Sequence, residues 1–209
     1  MFYGQNKEDE IINNLIISKY GENFKGTILD VGANDGITLS NSRYFIENGW
    51  QGVLVEAGRL PYLKLMETLL PNTIAINCGL GFRNETLTFY ESKHLLDFFD
   101  LGLVSSFKES ETERWRKAGV QYTEHQMDCY DWNTFLDKYH LKHKNFDIIT
   151  IDIEGFDYDL LIQMNLEELG CKVLCVEHNG IEMQKFVDYA VGYGMTLVHF
   201  NPENVIFLK

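Results

Sequence analysis

The sequence predicts a doubly wound α/β fold, in which a mostly parallel seven-stranded sheet carries helices on both faces and ends in an antiparallel hairpin. Three observations predict it. Short apolar runs alternate with helical stretches along most of the 209 residues, the βα alternation that gives parallel sheets. The run 146–152 is too continuously apolar for a surface strand and suits one buried on both faces. The last two runs, 195–200 and 205–209, flank the turn Asn201-Pro202-Glu203-Asn204 and read as a hairpin. A length of 209 residues suits a single domain with one core.

The elements follow in order. Residues 7–19 make an amphipathic helix with Ile11, Ile12, Leu15 and Ile16 on one face and Gly21 as its stop, so 1–22 form an N-terminal helical segment. Residues 26–31 are the first strand, and after the loop 32–36 a helix is expected to run to about Asn48 and end at Gly49. A second strand, 52–56, ends on Glu56; a helix over about 60–70 leads to a third strand, 73–77. Residues 87–91 and 122–127 alternate like strands. Between them, 92–119 is charged and weakly periodic and fits no regular layer. We read 84–127 as an insertion that carries a substrate lid, because long irregular segments in compact domains are usually functional or disordered. Trp115 and Phe107 within it stand apart from the aromatic core. A helix at 132–139, the buried strand 146–152, a helix at 158–166, the strand 172–177 and a helical stripe over Met183, Phe186, Val187 and Ala190 complete the series.

Composition narrows the function. A net charge of −13 repels polyanions, which excludes nucleic acid as a partner in the absence of a basic patch. The mixed basic stretch 138–144 reads as a solvated helix end. No run is long enough to span a bilayer, and the first residues show neither a basic nor an apolar leader region. A cytoplasmic protein without a membrane partner is expected, with its oligomeric state open. Cys78, Cys129, Cys171 and Cys175 form no CxxC pair, which argues against zinc. Cys171 and Cys175, at even spacing, are expected as buried thiols on one strand face.

The strongest motif is Asp30-Val31-Gly32-Ala33-Asn34-Asp35-Gly36, directly after a strand. Glycine permits a tight turn and the close approach of a ligand. Ligands of open α/β sheets bind beyond the carboxyl ends of the strands, at the switch point. The spacing is Gly-x-x-x-Gly, and Asn34 and Ile37 break the dinucleotide pattern Gly-x-Gly-x-x-Gly. The loop is therefore expected to hold a ligand without a phosphate there, which S-adenosylmethionine satisfies with its amino-acid and ribose groups. Glu56 would accept from the ribose hydroxyls, as acids do at this place in dinucleotide enzymes. Ala57 follows it, and Asn77 and Cys78 end the third strand on the expected adenine side.

A second cluster joins Asp152-Ile153-Glu154-Gly155 to Glu177-His178-Asn179-Gly180, at the ends of two adjacent predicted strands. Converging acids are costly unless they bind something, share protons or stay solvated. A sulfonium is one partner for them. A divalent metal on Asp152, Glu154, Glu177 and Asn179 is the other, although no spacing rule selects it. Glu154 and His178 are candidate general bases, with Asp152 and Glu177 beside them; the plainer reading of His178 is a hydrogen-bonded loop residue.

At these residues the chain resembles the FkbM family of methyltransferases. The resemblance lies in 27–36, in Leu39-Ser40-Asn41-Ser42, in Gly49-Trp50-Gln51-Gly52 running on to Glu56, and in Ile151-Asp152-Ile153-Glu154-Gly155. Tyr3-Gly4-Gln5 with Asp9 is similar to the family's N-terminal Ser-Gln and acid motif, with the serine replaced, and Ser105-Ser106 to a family serine pair. The resemblance implies a class I methyltransferase fold and methyl transfer from S-adenosylmethionine to an oxygen, commonly on sugars or natural-product hydroxyls. It implies that Gln5, Gly32, Asn34, Gly36, Ser40, Asn41, Glu56 and Asp152 lie near the cofactor; the loop adds Asp30 and Asp35. Ala57-Gly58 departs from the proline that many members carry after the acid. Two other readings compete: a nicotinamide oxidoreductase, disfavoured by loop spacing and hairpin, and a silent binding module, disfavoured by the intact acids.

Overall fold

A computed structural model describes residues 1–93, 102–178 and 182–209. The chain runs α1 (Glu8–Tyr20), β1 (Thr27–Val31), α2 (Arg43–Glu47), β2 (Gln51–Glu56), α3 (Arg59–Glu67), β3 (Thr73–Asn77), β4 (Gly79–Leu80) and β5 (Glu85–Lys93). It continues with α4 (Glu109–Lys117), β6 (Gln121–Tyr130), α5 (Trp132–Lys138), β7 (Ile148–Ile151), α6 (Asp157–Leu161), β8 (Val173–Glu177), α7 (Met183–Gly192), β9 (Thr196–Phe200) and β10 (Asn204–Leu208). A seven-stranded sheet has the order β3-β2-β1-β7-β8-β10-β9, and a three-stranded sheet the order β4-β6-β5. Among the described strands of the large sheet only β10 runs antiparallel to its neighbours, wedged between β8 and β9, and in the small sheet β5 and β6 are antiparallel. The expected fold class is the observed one.

Alternation along the strands explains the apolar runs. Leu29, Val31, Ile149, Ile151, Leu174 and Val176 enter one core cluster, and Ile28, Ile148, Val173 and Cys175 enter another. Successive side chains of a strand point to opposite faces, so both faces of the central strands are buried. All four cysteines are free and buried. Cys171 and Cys175, however, enter different clusters. Cys171 precedes β8 in a bend whose N–H donates to the Leu166 carbonyl, so strand parity does not apply to it.

Register places the site. Val31 pairs with Val55 on one side and Ile151 on the other. The residues that follow, Gly32, Glu56 and Asp152, therefore emerge at one edge of the sheet. Ile151 pairs with Val176, which brings Asp152 beside Glu177. The strand order reverses at β1, the switch point where such sheets bind ligands.

Three elements differ from expectation, the simplest being α6, which spans only Asp157–Leu161 where a helix over 158–166 was expected. The helix after the loop begins only at Arg43 and has five residues. Asp35 Oδ1 accepts the N–H groups of Ile37 (2.9 Å) and Thr38 (2.6 Å), and Ser40 Oγ accepts that of Arg43 (3.0 Å). These local bonds compete with helix formation, and Leu39 turns left-handed at φ 55°. The expected irregular segment contains a regular helix, α4, anchored to β5 by a Tyr90–Ser106 bridge. Residues 94–101 of the expected lid lie outside the described residues.

Candidate functional site

The carboxyl edge of the large sheet opens into a cavity of about 910 Å³, near the upper end of ligand-site volumes. Its floor is the β1 loop with Glu56 and Asp152, and its roof is Leu103, Val104, Phe107 and Trp115 from the segment around α4. Phe107 and Trp115, set apart in the sequence, are thus cavity residues. The N-terminal arm closes one side through Gln5 and Glu8. It is held there by Asp9, whose Oδ2 accepts the Tyr3 N–H at 2.6 Å, and by Glu8, whose Oε1 accepts from Asn201 Nδ2 (2.8 Å) and Asn204 Nδ2 (3.2 Å).

Each strand-end acid has a distinct setting. Asp30 accepts from Ser42 Oγ at 2.5 Å and Thr150 Oγ1 at 2.7 Å. Burial raises its carboxyl pKa, and those two bonds oppose the shift. Glu56 Oε2 accepts the Asn34 N–H at 2.8 Å and Oε1 the Gly58 N–H at 2.5 Å. Burial pushes Glu56 up to about 7 despite these donors. Gly32, at φ +95°, is the point where β1 passes the end of β7; a Cβ there would overlap the Asp152 carbonyl. The glycine requirement thus comes from the protein backbone itself.

Asp152 is exposed and opens onto the cavity. Desolvation first, then the Asp157 charge, raises it to about 7. Glu177 is raised well above the usual range by burial and by the Asp152 charge. Glu154 is raised for the same two reasons, and Arg114 opposes the shift. Its Oε2 lies 3.8 Å from Arg114 Nη2. Arg114 is the only cation among the described residues that line the cavity.

Gln5, Asp30, Gly32, Asn34, Ser40, Asn41, Glu56, Ala57, Cys78, Asp152, Glu154 and Glu177 share this cavity. Four expected residues do not line it. Asp35 binds its own loop. Gly36 packs against α3, where a Cβ would meet Leu65 Cδ1 at 2.5 Å. Asn77 Nδ2 donates to the carbonyls of Glu56 (2.8 Å) and Ala57 (2.9 Å), so it shapes the second loop from behind. His178 Nε2 faces the Asn201 carbonyl at 3.0 Å and must carry a proton to bond it, which removes that nitrogen as a base. Asn179 lies outside the described residues.

Among the described residues, the acids that converge closely enough to share an ion are Asp152, Asp157 and Glu177, with candidate ligand atoms within 4.8 Å of one another. Glu154 is not among them, and Asp157 was not expected. Asp157 Oδ1 accepts the Ile153 N–H at 2.8 Å and Oδ2 the Gly155 N–H at 2.9 Å. It braces the loop in which Glu154 stands. Its place as the third acid of Asp152-Ile153-Glu154-Gly155-Phe156-Asp157 was the signal available in the sequence.

Among the described residues, four buried side-chain atoms lack a hydrogen-bond partner: Asn41 Oδ1, Trp115 Nε1, Glu154 Oε2 and Glu177 Oε2. All four residues line this cavity. Buried polar groups are nearly always paired, so four such atoms around one space describe a ligand site.

A sheet of this order with a ligand cavity at its switch point has the Rossmann-like architecture of class I methyltransferases. The chain belongs to the FkbM methyltransferase family: the family model described as Methyltransferase FkbM domain matches residues 30–200. It is accordingly a methyltransferase. No curated protein matches the chain. No helix among the described residues is long and apolar enough to cross a membrane.

Proposed function

We propose that the protein transfers a methyl group from S-adenosylmethionine to a hydroxyl oxygen of a small acceptor, a carbohydrate, glycan precursor or natural product. The observation that carries this reading is the set of unpartnered atoms on the cavity wall. Three of the four, Asn41 Oδ1, Glu154 Oε2 and Glu177 Oε2, are acceptors. A donor-rich cation matches them, and S-adenosylmethionine brings an ammonium and a sulfonium. The cavity volume, about 910 Å³, leaves room for an acceptor beside it.

Glu56 would hold the ribose, because each oxygen spends one lone pair on a backbone N–H and keeps another. Ala57, Cys78 and Leu80 would flank the adenine, and Gln5, Gly32 and Asn41 the amino-acid end. When bound, S-adenosylmethionine supplies an electrophilic methyl group whose departure from sulfur neutralises a positive charge. Asp152 sits at the end of β7 to orient donor and acceptor, and alignment is where such a displacement gains most. A hydroxyl is a weak nucleophile, so its proton must leave as the carbon–oxygen bond forms. Glu154, which lines the cavity, takes that proton on its carboxylate. Its raised pKa makes it a stronger base once ionised. The test is transfer of isotope-labelled methyl from S-adenosylmethionine to a panel of polyols and glycans; cofactor binding with no transfer to any of them would favour a binding module.

A further inference from the structure

The Glu154 loop owes its shape to contacts from the segment leading into α4. Glu154 stands at φ 51° and Gly155 at φ 119°, a left-handed pair that costs about 1–3 kcal/mol for the non-glycine residue unless the surroundings hold it. The two carbonyls of that pair are both taken from one direction. Ser106 Oγ donates to the Glu154 carbonyl at 2.6 Å, and Lys108 Nζ donates to the Gly155 carbonyl. Ser106 Oγ in turn accepts the Lys108 N–H at 2.9 Å, which ties the two contacts together. Ser106 is 1% exposed and is itself fixed to β5 by two backbone bonds with Tyr90, at 2.9 and 3.1 Å. The Lys108 ammonium also lies 4.8 Å from the Phe156 ring centroid, just past the loop.

We propose that Ser106, seconded by Lys108, is a positioning residue: it holds the Glu154 backbone left-handed and so aims the Glu154 carboxylate into the cavity. Ser106 does not line the cavity and touches no reacting atom. Its hydroxyl acts through the Glu154 carbonyl. The small sheet thereby becomes a frame for the base as well as a roof, and a displacement of the roof would carry the base with it. The role of Glu154 as base rests on the function proposed above; the clamp on its backbone does not.

The experiment needs no acceptor. Amide hydrogen exchange is followed in wild type, Ser106→Ala, Ser106→Thr and Lys108→Met. Ser106→Ala should speed exchange of amides 153–157 roughly three- to tenfold, the loss of about one hydrogen bond. Ser106→Thr, which keeps the hydroxyl, should exchange more slowly there than Ser106→Ala. Exchange in β1 and β8 and affinity for S-adenosylhomocysteine should stay as in wild type. Lys108→Met, at a partly exposed side chain, should speed exchange of the same amides by less. Unchanged exchange at 153–157 in both Ser106→Ala and Lys108→Met overturns the proposal, as does loosening spread evenly over the large sheet. Should Ser106→Ala fail to fold, exchange in Lys108→Met decides alone. Loss of label transfer in Glu154→Gln tests the base separately, so the two ideas fail independently.

Discussion

Carboxylate oxygens of Asp152 and Glu177, at the ends of adjacent parallel strands, lie within 4.8 Å of each other, and the Asp152 charge adds to burial in raising Glu177 well above the usual carboxylate range. The same edge holds Asp30, Glu56, Glu154 and Asp157, each with its pKa raised chiefly by desolvation. Negative charge gathered at one sheet edge is unfavourable, and a cationic ligand would relieve it.

This charge sets the pH dependence of stability. An acid whose folded pKa exceeds its unfolded value makes the native state bind more protons, so stability declines as pH rises between the two values. For Glu56 the window runs from 4.5 to about 7. The ligand-free melting temperature should fall from pH 5 to pH 7.5 (about the span of this shift), and Glu56→Gln should flatten the fall. A wild-type and variant difference constant across that span would contradict the assignment.

Glu56→Gln also tests ribose recognition. The amide keeps one acceptor oxygen but loses the charge and one acceptor face. Affinity for S-adenosylmethionine should drop roughly 10- to 100-fold, as expected for a hydrogen bond to a charged group. Calorimetry showing unaltered affinity would remove Glu56 from the site.

Gly32→Ala should destabilise the fold even without ligand. The new Cβ would overlap the Asp152 carbonyl at a backbone φ of +95°. A loss of at least about 1–3 kcal/mol is expected from the conformation alone, measured by denaturant unfolding of the empty protein. Unchanged stability would mean that β7 can shift away. Loss of binding in such a variant is not evidence of a ligand contact.

Glu154→Gln should lower turnover on a true acceptor by roughly 10²–10⁴-fold while leaving cofactor affinity largely intact. Wild-type turnover should rise with pH through the raised Glu154 pKa, because only the ionised carboxylate accepts the proton. Full activity in Glu154→Gln would show that another group is the base.

The large sheet was legible because its strands carry one-sided or two-sided apolar patterns that no helix shares. The loop at 30–36 and the acids at 56, 152, 154 and 177 were legible because strand ends can be read from those patterns. What escaped was fixed by side-chain bonds or distant pairing. The helix expected after Gly36 gives way to turns made by Asp35 and Ser40. Helix α4 buries only Thr112 and carries charges throughout, so it shows no apolar stripe to read. Asp157 looked like an ordinary helix-start acid until its two backbone donors, Ile153 and Gly155, were in place. His178 sat beside the right acid in sequence, but strand alternation sends neighbouring residues to opposite sides, and it bonds the hairpin turn instead.

The central claim is that this cavity binds S-adenosylmethionine through an acidic, phosphate-free loop. Titration calorimetry of the purified protein with S-adenosylmethionine, S-adenosylhomocysteine and NAD tests it directly. Saturable binding of the first two is expected, weakened in Glu56→Gln, and none of NAD. Binding of NAD alone, or of none of the three by a folded protein, would contradict it.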